Sequence, residues 1–325
     1  MTVELGYHAS HEQFGPAELL DLARAAEGAG FDAVLSSDHL APWRESGESG
    51  FAWSWLGAVA ATTELDLGVV SAPGQRYHPA VLAQAIATVD ALAPGRLTVA
   101  LGSGQALNEH VTGDPWPAKP ERNARLAECA DVISRLLDGE RVDHRGAVRV
   151  DRTRLYTPPA DRPRLFAAAM TPETAAEVAA WADGLITVNA SWDHLRRVID
   201  AFRDGGGGDR PVHVQVHVSW DPDPAVARNQ AVAEWSMAAL PPPPTQDLAT
   251  PADIEAATAG VTADDLSDSV VIASDLDEHV EWLCRCAELG VERIYVHQVG
   301  RDQAGFVSAF GEHVLPRVRA RVGGP

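Results

Sequence analysis

Lysine is almost missing from this chain. Of 26 basic residues in 325, only Lys119 is a lysine, and they face 46 acidic residues for a net charge of −20. A basic footprint for nucleic acid is therefore absent, and an anionic membrane surface would repel the chain. Cysteine is also scarce: Cys129, Cys284 and Cys286 are an odd number without framework spacing, which excludes a disulfide scaffold. Cys284 and Cys286 fall in a helical pattern, so buried free thiols are expected. No apolar run approaches the roughly 18 residues a membrane helix needs. The first ten residues, MTVELGYHAS, have neither a charged nor an apolar leader region, so a cytoplasmic location without a signal peptide is expected.

What is present is a repeat of strand and helix. With 46% hydrophobic residues the chain can bury a large core. Apolar runs predict strands at 3–8, 32–36, 65–71, 97–101, 164–168, 184–188, 211–219 and 293–299. Helical periodicity predicts helices at 16–27, 51–63, 79–92, 122–137, 173–182, 192–202, 224–239, 278–289 and 303–318. Residues 204–209 (DGGGGD) read as a flexible surface turn. Eight alternating strands predict one (β/α)₈ TIM barrel spanning 1–325, with insertions at about 139–162 and 240–268. The proline-rich stretch in the second insertion reads as a loop near the barrel mouth. A doubly wound open sheet is the competing architecture.

In a (β/α)₈ barrel, functional groups gather past the C-terminal ends of the strands. Those positions hold His8; Ser37, Asp38 and His39; Val69, Val70 and Ser71; Gly102–Gln105 with Asn108 and Glu109; Ala169–Glu173; Asn189; His213, His217 and Trp220; and His297. Polar, aromatic and glycine residues dominate, as in a ligand pocket. Each also has a plainer reading as a rim hydrogen bond or a helix cap. Trp53 and Trp55 stand two apart, so on a helix they do not share a face and one belongs to the core. GSGQAL is only a partial glycine-loop match, with Leu107 in the sixth place. Thr171 and Pro172 open a helix directly after the fifth strand, a place where free N–H groups bind phosphate well. A flat ring with a phosphate tail is the ligand these features suggest.

The stretches SDHLAPW, GQRYHPAVLAQAIATVDALAPGR, GSGQALNE, DGERVDHRG, WADGLI, DPDPAVA and VIASDLDEHV together resemble the luciferase-like flavin and deazaflavin oxidoreductases. The resemblance covers nearly the whole chain and runs closest to the deazaflavin-dependent glucose-6-phosphate dehydrogenases. GYHASHEQF and SGFAWSWLGA are more similar to a sister clade that uses FMN. FMN is therefore the expected cofactor, with coenzyme F420 the alternative.

The resemblance implies roles for Asp38 and Asn108 beside the cofactor ring and for His39 near the hydride-transfer site. It places Trp43 as an aromatic wall and Val69–Val70 as a bulge behind the ring. Ala168, Ala169, Met170 and Thr171 fall along the ring's tail and phosphate. Ser71 and Asn189, at neighbouring strand ends, are assigned with them to the cofactor. His8, Trp43, Trp53 and Trp55 are assigned to the substrate pocket. Gln105 stands where the dehydrogenases carry a proposed acid. An amide cannot exchange a proton near neutral pH, which leaves His39 as the proton handler. With one lysine, a lysine-lined sugar-phosphate pocket is excluded.

The expected activity is hydride transfer or monooxygenation of a small organic substrate, with the assembly left open between monomer and homodimer. A non-catalytic flavin-binding protein is the contrasting reading. A metal-dependent hydrolase using His8, His39 and His297 is weaker still, for want of a His-x-His pair, and no metal is expected.

Overall fold

Short apolar runs become the staves of the barrel; Leu97–Leu101, for example, is buried at every position. The structure, a computed structural model, describes residues 3–240 and 244–323. The proline run at 241–243, within the expected mouth loop, lies outside the described residues. The strands are β1 (Glu4–Ala9), β2 (Ala33–Ser37), β3 (Asp66–Ser71), β4 (Leu97–Leu101), β5 (Val142–Arg145), β6 (Arg149–Thr153), β7 (Arg164–Ala168), β8 (Gly184–Val188), β9 (Val212–Trp220), β10 (Val271–Ala273) and β11 (Arg293–Gln298). Parallel pairing runs β11-β1-β2-β3-β4-β7-β8-β9, and β9 pairs back onto β11, so eight strands close a barrel. β5 and β6 form a separate antiparallel hairpin within the first expected insertion.

The barrel helices are α1 (Pro16–Gly28), α2 (Ala52–Ala60), α3 (Pro79–Leu92), α4 (Ala106–Glu109), α5 (Lys119–Leu137), α6 (Pro172–Val178), α7 (Trp192–Phe202), α8 (Pro224–Trp235), α9 (Pro244–Asp247), α10 (Pro251–Thr258), α11 (Leu276–Ala287), α12 (Gln303–Ala309) and α13 (Leu315–Val322). Proline opens α1, α3, α6, α8 and α10, where its fixed φ suits the first turn and its missing N–H costs nothing. Among the described residues no helix is long and apolar enough to cross a membrane.

The floor of the barrel is a charged plug. Arg293, 2% exposed, donates to Glu4, Asp66 and the Tyr295 hydroxyl. The Tyr295 ring fills the space that glycine leaves open. A Cβ at Gly6 would stand 2.4 Å from the ring, and one at Gly68 2.8 Å from its hydroxyl. Above the plug, Leu35, Ala100, Phe166 and Ile186 pack the interior and leave the polar groups to the upper rim.

Three elements depart from expectation. The helix expected over 303–318 is broken by a wide π turn at Phe310–Val314, ahead of Pro316, which cannot donate to the turn before it. The glycine run at 204–209 lies at the surface, as expected, but Gly205 and Gly207 are packed while Gly206 and Gly208 face open space. A Cβ at Gly205 would stand 2.8 Å from the Ala176 backbone of α6, and Gly206 takes φ +113°. β10 extends the sheet beyond the barrel, pairing with the upper end of β9 past the point where β8 stops.

Candidate active site

Asp38 follows β2 directly, and its N–H bonds to the Val70 carbonyl of β3 at 2.9 Å. Its carboxylate is 3% exposed and fully occupied. Oδ2 accepts from Ser71 Oγ at 2.6 Å and Trp53 Nε1 at 3.2 Å, and Oδ1 from the Tyr77 hydroxyl at 3.0 Å. Arg76 Nη2 donates to the Asp38 carbonyl at 2.6 Å and stands 3.6 Å from Oδ1. Arg76 also reaches Glu109, whose Oε2 accepts the Arg76 backbone N–H at 2.7 Å. Burial, more than any charge, raises the Glu109 carboxyl, with the Arg76 contacts working against it. Asp38 is thus the hub that ties β2, α2, β3 and the loop after β3 together.

His39, next along, meets a residue that sequence reasoning passed over. Its Nδ1 lies 2.6 Å from Oε1 of Glu12, in the loop after β1. The ring nitrogen is off the line of an aligned hydrogen bond, so the contact is close without being a directed bond. Glu12 is 4% exposed, and its other oxygen accepts from Ser10 Oγ at 3.0 Å. Burial alone would raise the Glu12 carboxyl; its contact with His39 holds it down at about 2. His39 Nε2 makes no protein hydrogen bond among the described residues. Trp43 stands edge-on to the imidazole at 4.8 Å, with ring planes at 90°.

Asn108, on the one-turn helix α4, accepts from the backbone N–H groups of Leu40 and Ala41 at 2.8 and 3.2 Å. It fixes the loop that carries His39 and Trp43. Gln105, the residue before α4, lies 3.5 Å from the Asn108 amide. Val69 is fully buried and Val70 packs onto the barrel interior.

The opposite wall is aromatic and uncharged. His8 stacks on His297 at 4.3 Å, and Trp235 lies 4.5 Å from His297, 5.3 Å from His217 and 6.2 Å from Trp43. Burial pushes His8 down to about 3, His217 to about 4 and His297 far below the ordinary value, so all three rings are neutral. Gln215 Nε2 bridges His217 Nε2 and His297 Nδ1 at 3.2 and 3.3 Å. Buried ring nitrogens without a partner remain at Trp43 Nε1, Trp235 Nε1, His8 Nδ1 and His217 Nδ1. His8 and His297 stack, but among the described residues no group of three or more His, Cys, Asp and Glu is arranged to hold a metal ion.

The remaining assigned residues border these groups or serve the frame. Trp55 packs edge-on to His11 at 4.9 Å in the main core, its Nε1 without a hydrogen-bond partner, while Trp53 gives its N–H to Asp38. Asn189 splices the sheet: its amide donates to the Ser269 carbonyl, and its oxygen accepts from His217 N, both at 2.9 Å, bridging the gap between β8 and β10. Ala168 ends β7 and Ala169 follows it; Met170 is 41% exposed; and Thr171 caps α6 through Thr174 N at 3.3 Å. A cleft of about 380 Å³ beside Thr171 is lined by Lys119, Asn123, Glu173 and Glu177.

Glu12, Arg76, Tyr77 and Trp235 were not singled out from sequence. HASHEQF, with an acid directly after two histidines just past a strand, carried a signal for Glu12. Trp235 carried none, being one apolar position on an outer helix.

Comparison with known proteins matches residues 2–293 to the luciferase-like monooxygenase family. An F420-dependent glucose-6-phosphate dehydrogenase from Nakamurella multipartita is 38% identical, covering 99% of this chain and 98% of that protein. The enzyme of the same description from Mycobacterium tuberculosis is 35% identical, over 98% of each chain. Among solved structures, an F420-dependent secondary alcohol dehydrogenase in complex with an F420–acetone adduct superposes with a TM-score of 0.91 at 30% identity, covering 98% of this chain and 99% of that one. A monooxygenase from Streptomyces bottropensis shares the fold at a TM-score of 0.72 and 20% identity, covering 97% and 99%. This chain belongs to the luciferase-like monooxygenase family of oxidoreductases.

Proposed function

We propose that this protein is an F420-dependent oxidoreductase that interconverts a small uncharged alcohol and its carbonyl compound. The observation that carries the reading is His39, held at the barrel mouth by the buried carboxylate of Glu12 at 2.6 Å. The donor set fits a planar heterocycle. Four buried ring nitrogens without partners surround the mouth, and Gly102, Ser103 and Gly104 present backbone rather than bulk there. The relatives at 35–38% identity support F420 over the FMN expected from sequence. F420, when bound, supplies or accepts a hydride. Trp43 and Trp235 keep water from the reacting carbon, and His39 Nε2 takes or returns the proton of the substrate oxygen.

The charge balance supports an uncharged substrate. The one lysine, Lys119, lies in the cleft beside α6. Arg76 is committed to Asp38 and Glu109, and Arg44 and Arg301 both stand 3.6 Å from Glu234. A sugar phosphate would bring a dianion against neutral imidazoles and already paired guanidiniums.

The test is titration of the purified protein with F420 and with FMN, followed by turnover of 2-propanol and of glucose 6-phosphate. F420 binding with alcohol oxidation and no sugar-phosphate turnover is expected. Tighter binding of FMN with oxygen consumption, or turnover of glucose 6-phosphate, would overturn the reading.

A further inference from the structure

A second opening reaches Glu12. It is a narrow cleft of about 110 Å³ lined by Glu12, Gln13, Trp43, Arg44, Glu234 and Arg301. These residues come from the loops after β1, β2 and β11 and from the end of α8. None comes from the ends of β3, β4, β7 or β8, and His39 is not among them. Glu12 and Trp43 therefore divide the cleft from the mouth, since both also touch His39. Arg44 and Arg301 are 37% and 57% exposed, so the outer end meets solvent, whereas Glu12 at the inner end is 2% exposed. The space is roomy and polar enough for several water molecules.

The charges along it balance. Two guanidiniums alone would repel a departing proton. Glu234 stands between them, 3.6 Å from each, and accepts from Gln13 Nε2 at 3.3 Å. Glu12 supplies the second negative charge at the inner end.

We propose that this cleft is the proton exit of the enzyme, carrying the substrate's hydroxyl proton from the His39–Glu12 pair to bulk solvent while cofactor and substrate close the mouth. The inference rests on the dehydrogenase reading above. When an alcohol is oxidised to a carbonyl, the C–H bond breaks and its electron pair leaves as hydride to F420, which is reduced. The O–H bond breaks too, and its proton passes to His39 Nε2. The imidazole then releases its Nδ1 proton toward Glu12, and water in the cleft takes it to solvent. In carbonyl reduction each transfer reverses. Glu12 is thereby a relay as well as a clamp on the imidazole, and Glu234 is a positioning residue that keeps the route neutral.

The test separates proton from hydride. In a single turnover of F420-loaded enzyme with 2-propanol, cofactor absorbance follows the hydride and a pH-indicator dye follows the released proton. In the wild type the two traces should coincide. Ser46→Trp fills the cleft from its exposed rim, and Glu234→Gln leaves Arg44 and Arg301 unbalanced. Either variant should keep hydride transfer within about twofold and delay proton release by roughly tenfold or more. Should Ser46→Trp fail to fold, Glu234→Gln carries the test. Proton release in step with hydride transfer in both variants would overturn the proposal. So would equal slowing of both traces, because the cleft would then belong to the substrate site. No hydride transfer in the wild type would instead remove the functional reading, and the exit with it.

Discussion

Glu12 Oε1 lies 2.6 Å from His39 Nδ1, joining the loop after β1 to the loop after β2 across the barrel mouth. Glu12 is the more deeply buried of the two, with its side chain 2% exposed against 19% for His39. Removing the imidazole strands a buried carboxylate, so His39→Ala should cost about 3 kcal/mol at neutral pH, at the low end for a broken buried pair. Glu12→Gln leaves no stranded charge and should cost less stability, but lower kcat by roughly 100-fold. The double variant should recover most of the stability lost in His39→Ala. Urea unfolding of the three variants measures this, and a His39→Ala protein as stable as the wild type would remove the coupling.

Asp38 is a structural hub. It accepts from Trp53, Ser71 and Tyr77. Asn at this position has one acceptor oxygen and an amide that would face donors. Asp38→Asn should therefore lose about 2–4 kcal/mol, the cost of breaking a buried charged network. Tyr77→Phe, which removes one donor from Oδ1, should cost only about 1 kcal/mol. Thermal melts of both proteins test the ordering; an Asp38→Asn protein no worse than Tyr77→Phe would contradict it.

Gln105 tests where the proton goes. Its side chain is half-buried and close to the Asn108 amide alone. If His39 handles the proton, restoring an acid with Gln105→Glu should change kcat by less than about threefold, far below the 100-fold or more of a lost general base. A tenfold or larger gain would mean that the pocket still uses an acid at this place.

Much of the frame was legible because buried parallel strands are short, continuously apolar runs bounded by turns. Arg164–Ala168 and Gly184–Val188 fall where those runs predict strands, and Trp192–Phe202 where the period predicts a helix. Asp38 and His39 were legible because they follow such a run at once. Glu12 was harder, since its meaning depends on an imidazole 27 residues away that only barrel closure brings near. Asn189 sits at a strand end, as expected, but its splice between β8 and β10 depends on a strand more than 80 residues on. The glycine run at 204–209 is at the surface as composition suggests, but the Ala176 backbone against Gly205 was not legible from composition.

The same burial that keeps the wall of the mouth neutral sets the acid limit of the fold. Burial holds His8 down to about 3 and His213, His217 and His279 to about 4, against an ordinary 6.5. Between 6.5 and about 4 the unfolded chain binds a proton at each ring and the folded chain does not, so stability is full above 6.5 and falls as the pH drops. Each fully desolvated ring adds about 1.4 kcal/mol of loss per pH unit in that window. Glu12 and Glu292, both held near 2, begin to withdraw their support only below the ordinary 4.5. The early loss thus belongs to the histidines. Urea unfolding at pH 7.5, 6.0 and 5.0 should show a steep decline already by pH 5. His279, whose Nε2–H donates to the Ala273 carbonyl at 3.1 Å, packs on Phe310 at 5.2 Å. His279→Gln should lower stability at pH 7.5 yet flatten the decline by about one proton's worth of slope. Stability that stays level from pH 7.5 to 5.0 would show that these rings are not held neutral by burial.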